Sequence, residues 1–166
     1  TLLSVNLNKI ALLRNSRGGK VPSVTRAAQM AIDAGANGIT VHPRPDGRHI
    51  RRHDVYDLAG MLSVEFNIEG NPTRDFLDLV LDVKPAQCTL VPDDPDQLTS
   101  DHGWDVARDG ARLKEIVAEL KDANIRVSVF MDPVVDQVER LPVTGADRIE
   151  LYTESYAQAF GTEAQQ

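Results

Sequence analysis

Six short runs rich in β-branched and aliphatic residues punctuate the chain: 2–7 (LLSVNL), 38–42 (GITVH), 64–69 (VEFNIE), 87–91 (QCTLV), 126–130 (RVSVF) and 148–152 (RIELY). The stretches between them carry apolar residues at helical spacing. After the first run, Pro22-Ser23 supplies a helix start, Ala27, Ala28, Met30, Ala31 and Ala34 an apolar face, and Gly35 a stop. Segments 73–83 and 109–122 read the same way. Alternation of strand and helix predicts parallel strands joined by right-handed crossovers, either an open doubly wound sheet or a closed (β/α)8 barrel.

The polarity of the strands separates these two. A strand covered by helices on both faces should be continuously apolar, yet polar residues fall at alternate positions here: Asn6 and Asn8, Thr40 and His42, Asn67 and Glu69, Glu150 and Tyr152. One sheet face is therefore polar, as expected of strands facing the axis of a barrel whose active site lies at their C-terminal ends. An internal repeat supports reuse of one βα unit, since Gly35-Ala36-Asn37-Gly38-Ile39-Thr40-Val41-His42 matches Gly145-Ala146-Asp147-Arg148-Ile149-Glu150-Leu151-Tyr152. The expectation is a single TIM (β/α)8 barrel domain over 1–166 with about six of its eight units present. A complete barrel has eight strands in typically about 250 residues, so the native chain is expected to continue past Gln166.

Composition narrows the function. The net charge of −7 works against non-specific binding to nucleic acid or anionic membrane, so any anion site must be local. No apolar run approaches the roughly 20 residues of a membrane span and the N-terminal residues lack signal-peptide order, which makes the cytoplasm the expected location. Cys88 is the only cysteine, and its setting in AQCTLV reads as a buried strand thiol.

The segment 39–53 holds four arginines, Arg44, Arg48, Arg51 and Arg52, against one aspartate, Asp46. Guanidinium forks match phosphate oxygens, and Arg14-Asn15-Ser16-Arg17-Gly18-Gly19-Lys20 reads as a second basic loop; Arg51 and Arg52 read as solvated surface. His42 ends the second strand, where it either moves protons or is a hydrogen-bonded core histidine. Glu69 and Glu150 close or lie within strands and are expected to face the axis, as ion-pair members or as bases with tuned pKa. Asp132-Pro133 reads as a turn, and the long polar loop 92–105 as a binding segment in which Thr99 is the hydroxyl of interest. No HExxH or CxxC metal signature occurs, nor a GxGxxG or Walker pattern.

Taken in order, VNLNKIALLRNSRG (5–18), GANGITVHPRPDGRHIR (35–51), FNIEGNP (66–72), KPAQCTLVPD (84–93), LTSDHGWD (98–105), RVSVFMDP (126–133) and GADRIELYTESYA (145–157) resemble the pyridoxine 5′-phosphate synthase family along the whole chain. The resemblance implies cofactor-free condensation of 1-deoxy-D-xylulose 5-phosphate with 3-amino-2-oxopropyl phosphate, releasing phosphate and water, by a homo-octamer. It implies acid/base roles for His42 and Glu69, stabilisation of cationic intermediates by Glu150, and substrate contacts for Asn6, Arg17, Arg44, His49 and Thr99. The chain departs from the family where x-Asp-His is replaced by Leu7-Asn8-Lys9. Asn8 cannot act as a carboxylate, whereas Lys9 can hold a phosphate or carbonyl as a point charge, and both are kept as substrate contacts. Two other readings stay open: a lyase or isomerase acting on one phosphosugar, and a non-catalytic assembly module derived from a barrel.

Overall fold

The computed structural model describes residues 1–16, 18–94 and 100–161. Strands β1 (Ser4–Asn6), β2 (Gly38–Val41), β3 (Glu65–Gly70), β4 (Gln87–Leu90), β5 (Arg126–Met131) and β6 (Arg148–Leu151) form one sheet. Every neighbouring pair is parallel and the spatial order is the sequence order. Between and after them lie α1 (Asn8–Ser16), α2 (Val24–Asp33), α3 (Arg52–Met61), α4 (Arg74–Val83), α5 (Val106–Asp122), α6 (Val135–Arg140), a 3-10 turn (Leu141–Thr144) and α7 (Glu154–Ala159). A doubly wound sheet reverses direction at a switch point, and the six described strands contain no reversal. Crossovers of one hand then put the helices on one side, and sheet twist curls the other side inward, giving a half-barrel.

Strand alternation sorts the side chains accordingly. Ile39, Val41, Phe66, Ile68, Cys88, Leu90, Val127 and Val129 are buried in one core with Ala28, Val55, Leu58, Val80, Leu113 and Leu120 of the helices. Full burial of each such aliphatic side chain is worth about 1.5–3 kcal/mol. Cys88 belongs to this layer, and burial pushes its thiol pKa up, as expected of an inert strand cysteine. At the two ends of the sheet the covering is thinner: Leu2 and Leu3 before β1 are exposed, as are Ile149 and Leu151 of β6. No described helix is long and apolar enough to cross a membrane.

The repeated unit has a structural reason. Gly35 and Gly145 both adopt positive φ, 98° and 76°, a conformation that glycine reaches without strain. Two residues on, Asn37 and Asp147 each graft onto the preceding strand: Asn37 Oδ1 accepts the Leu3 N–H at 3.0 Å, and Asp147 Oδ2 accepts the Val127 N–H at 2.9 Å. The backbone N–H groups of Asn37 and Asp147 in turn donate to the carbonyls of Leu3 and Val127. The third residue of the repeat thus fixes the register of its strand.

Two sequence expectations fail at the first βα connection. The first strand ends at Asn6, because Asn6 Oδ1 accepts the Asn8 backbone N–H at 2.9 Å and turns the chain into α1. Asn8 is therefore the first residue of a helix and not a strand residue. Nor do Arg14, Asn15 and Ser16 belong to a basic loop; they form the last turn of α1. Arg14 is buried and makes a bidentate pair with Asp54 of α3, while its Nη2 also donates to the His49 carbonyl at 3.2 Å. Asn15 Nδ2 lies 2.7 Å from the His49 carbonyl and 3.0 Å from that of Arg48. Burial alone would raise the Asp54 pKa, but the Arg14 bonds outweigh it and hold the carboxyl below its usual range.

On the far side, Gly103 lies so close to β5 that a Cβ there would meet the Asp132 nitrogen at 2.1 Å. Trp104 then donates its indole N–H to the Leu90 carbonyl and its backbone N–H to that of Phe130, at 2.9 and 3.0 Å. Asp132 and Pro133 form the expected turn, with the Val134 N–H bonded to the Asp132 carbonyl.

Replacing Arg14 by Leu should cost about 3 kcal/mol, the penalty for leaving a buried carboxylate unpaired. Urea unfolding at neutral pH measures it, and a loss below about 1 kcal/mol would mean that the pair is effectively solvated.

Candidate active site

The concave face of the half-barrel is largely polar, with Phe130 of β5 an apolar member beside Glu150. Register places Asn6, Thr40, Asn67 and Gln87 across β1 to β4, and Glu69, Thr89, Ser128 and Arg148 across β3 to β6. All of these but the fully buried Thr89 line, together with Glu150, an open trough of about 540 Å³. The sequence-predicted Asn6, Glu69 and Glu150 all meet here. Glu69, at the end of β3, is buried, whereas Glu150 on β6 is half-buried.

The two carboxyls act on each other's ionisation. Burial pushes the Glu69 pKa well up, and the neighbouring Glu150 charge and their shared hydrogen bond push the same way. Burial also raises Glu150, while the bond from Glu69 pulls it back. Two interacting carboxylates in a poorly solvated place resist ionising together, and the upward push is the stronger on Glu69.

His42 follows β2 directly. It is 8% exposed, its backbone N–H donates to Asn8 Oδ1 at 2.8 Å, and its ring meets that of His49 edge-on with centroids 6.1 Å apart. Burial, then the charges of Arg44 and His49, lower its pKa to about 3, so the imidazole is neutral. His49 is held low for the same reasons, burial first and Arg44 next. A neutral imidazole can take up a proton, the complement of a carboxyl whose pKa is raised.

His42 and Arg44 line a second cleft of about 180 Å³, between the loop after β2 and the start of α4, with Asn71, Thr73 and Asp93. Arg44 is buried, and its Nη1 donates to Asp93 Oδ2 at 2.9 Å. The same oxygen accepts the Ser100 hydroxyl at 2.8 Å, and Asn71 Nδ2 holds the Asp93 carbonyl at 2.7 Å. The guanidinium expected to contact substrate is thus oriented by a carboxylate. The other arginines of this segment differ: Arg48 pairs with Asp46, and exposed Arg52 lies 3.3 Å from Asp75. Arg51 is exposed as well, in keeping with a solvated face.

Asn8 bridges the two regions through Asn6 and His42. Lys9 is exposed on α1 and lines neither cavity. The candidates Arg17 and Thr99 lie outside the described residues. Sequence reading missed Asp93, taken for loop polarity, and the polar members of β4 and β5. Gln87, Thr89 and Ser128 repeat the period-two signal of the other strands, masked because β-branched and short hydroxyl residues are also ordinary strand formers.

The His42 environment has a pH signature. Its folded pKa lies below the unfolded value, so between about pH 6.5 and 3 the unfolded chain binds the extra proton and stability falls as pH falls. Urea unfolding from pH 7 to pH 4.5 should show a steeper loss in the wild type than in His42→Asn, by up to ~1.4 kcal/mol per pH unit. Equal slopes would mean that His42 is solvated.

Comparison with known proteins adds ancestry to this geometry. The family described as pyridoxal phosphate biosynthesis protein PdxJ matches residues 3–166. The pyridoxine 5′-phosphate synthases of Christiangramia forsetii and Bacteroides fragilis are 58% identical over 160 residues, and that of Flavobacterium johnsoniae is 51% identical. Each alignment covers 96% of this chain and 68% of the relative. Among solved structures, mandelate oxidase with (S)-2-phenylpropionate superposes with a TM-score of 0.63 at 13% identity, over 98% of this chain and 58% of that one. At that identity the likeness concerns the fold alone. The sequence match along nearly the whole chain and the polar concave face with its carboxyl pair agree: the chain belongs to the PdxJ family of pyridoxal phosphate biosynthesis proteins.

Proposed function

We propose that the function, pyridoxine 5′-phosphate synthesis in vitamin B6 biosynthesis, proceeds on the concave face by condensing 1-deoxy-D-xylulose 5-phosphate with 3-amino-2-oxopropyl phosphate. Inorganic phosphate and water leave. The observation that carries this reading is the buried Glu69 carboxyl, its pKa pushed up by burial and by Glu150, which lines the same polar trough. Ring closure between an amine and a ketone is a sequence of proton transfers around a cationic imine, which calls for an acid, an anion and a base at close quarters.

The division of labour follows from the charges. Glu69 protonates the hydroxyl that departs as water when the imine forms. Glu150, ionised, stabilises the resulting positive charge. Neutral His42 removes a proton in the steps that lead to the aromatic ring. A phosphorylated substrate acts on His42 with the sign opposite to Arg44 and His49, raising its pKa and readying it to hold that proton. Arg44 and His49, with Arg17, Thr99, Asn6, Asn8 and Lys9, are assigned to substrate contacts. Arg44 does so from a guanidinium whose orientation Asp93 fixes.

The half-barrel is read in the same proposal as part of a (β/α)8 barrel that assembles as a homo-oligomer in the cytoplasm. Small phosphorylated substrates are its partners, as the basic segment after β2 would favour.

Glu69→Gln and His42→Asn should each lower turnover by at least about 100-fold. Product formation from both substrates, followed by its ultraviolet absorbance, is the measurement, and wild-type rates in both variants would remove the two groups from the mechanism. Omitting the amino-ketone phosphate separates the reaction classes: a lyase or isomerase consumes the sugar phosphate alone, whereas a synthase leaves it untouched.

A further inference from the structure

The concave face holds a row of side chains that these proton transfers do not use. At its base, Gln87 Oε1 accepts from Arg126 Nε at 2.8 Å and from Arg148 Nη1 at 3.1 Å. Both guanidiniums are steadied by Glu65, whose Oε1 lies 2.5 Å from Arg126 and 3.7 Å from Arg148. A guanidinium offers only N–H donors, so the Gln87 atom facing it must be the oxygen. The amide cannot be turned round, and its Nε2 points to Asn67 Oδ1 at 3.3 Å. That oxygen also accepts the Thr89 hydroxyl at 3.0 Å. With its carbonyl engaged there, Asn67 must present Nδ2 to Thr40 Oγ1 at 3.4 Å and Glu69 Oε1 at 3.5 Å. All four hydrogen-bonding positions of the Asn67 amide are occupied, and the donors run from the arginines through Gln87 and Asn67 to the Glu69 carboxyl, with one Asn67 branch to Thr40.

We propose that Asn67 and Gln87 are positioning residues that determine which oxygen of Glu69 carries its proton. This rests on the reading of Glu69 as an acid/base group. The Asn67 N–H occupies Oε1 as an acceptor and leaves the proton on Oε2. The arginines at the base of the half-barrel act on the carboxyl at its mouth through two amides of forced orientation. Single bonds of 3.4–3.5 Å are weak; the sense of the chain, set by the short contacts at its base, is what gives them a direction.

An N–H aimed at a carboxyl favours its ionised form, so losing that donor must raise the Glu69 midpoint further. The test is a pH titration of the protein by NMR with 13C-labelled glutamate carboxyls, the Glu69 signal being the one absent from Glu69→Gln. Asn67→Ala should move that midpoint up by on the order of half to one pH unit. Gln87→Leu, whose residue makes no bond to Glu69, should move it in the same direction by less. Thr89→Val, nearly isosteric, should do likewise and serves where the larger changes impair folding. An unmoved Glu69 midpoint in Asn67→Ala and Thr89→Val overturns the inference. Failure of the underlying reading has a different mark: Glu69 titrating in the ordinary carboxylate range in the wild type, or Glu69→Gln turning over at the wild-type rate.

Discussion

A parallel sheet with helices on only one side must settle the hydrogen-bonding demands of its other face, and in this protein that demand organises everything else. The concave face cannot be filled with aliphatic side chains if it is to handle phosphorylated, polar molecules. It cannot be left with orphaned amides and hydroxyls either, since each unpaired buried polar group costs on the order of 1–3 kcal/mol. The solution is a row running from Glu65 and the arginines at the base, through Gln87, Thr89 and Asn67, to Glu69 at the mouth. The strands are held in register by their backbones, but the inner face is held together by these side chains.

The same economy appears where the loop after β2 is braced. Arg14 spends its charge on Asp54 and the His49 carbonyl, and Arg44 is gripped by Asp93. Both arginines look alike in sequence, as parts of basic segments open to solvent. In the fold one anchors a loop from beneath and the other stands in a cleft beside His42. Burial then keeps the histidine neutral and pushes the glutamate pKa up. Opposite pKa shifts in the two groups come from one cause, the exclusion of water, acting on groups of opposite charge type.

Much of this was legible in the sequence because it depends on period and spacing. The six strands, the helices starting at Ser23 and Thr73, and the polar face of Asn67, Glu69 and Glu150 all follow from alternation and capping residues. The reading failed where a local side-chain bond overrides the period, as when Asn6 turns Asn8 into a helix start. It failed too where a contact joins residues far apart in sequence. Asp93 lies 49 positions from Arg44, and Asp54 lies 40 from Arg14, and no local pattern announces either pairing. Gln87 and Thr89 carried the right signal, but their residue types are common on any strand.

The graft made by Asn37 and Asp147 bears on how such a fold is built. In a strand, a slip of one residue exchanges the two faces, which here would send Thr40 or Glu150 into the helical layer and aliphatic residues into the trough. A unit that carries its own fastening to the strand before it does not rely on the rest of the sheet to find its place. It behaves as a keyed tile: copying the Gly-Ala-Asx turn copies the alignment as well, so repeated units can lengthen the sheet by duplication while each keeps its chemistry facing inward.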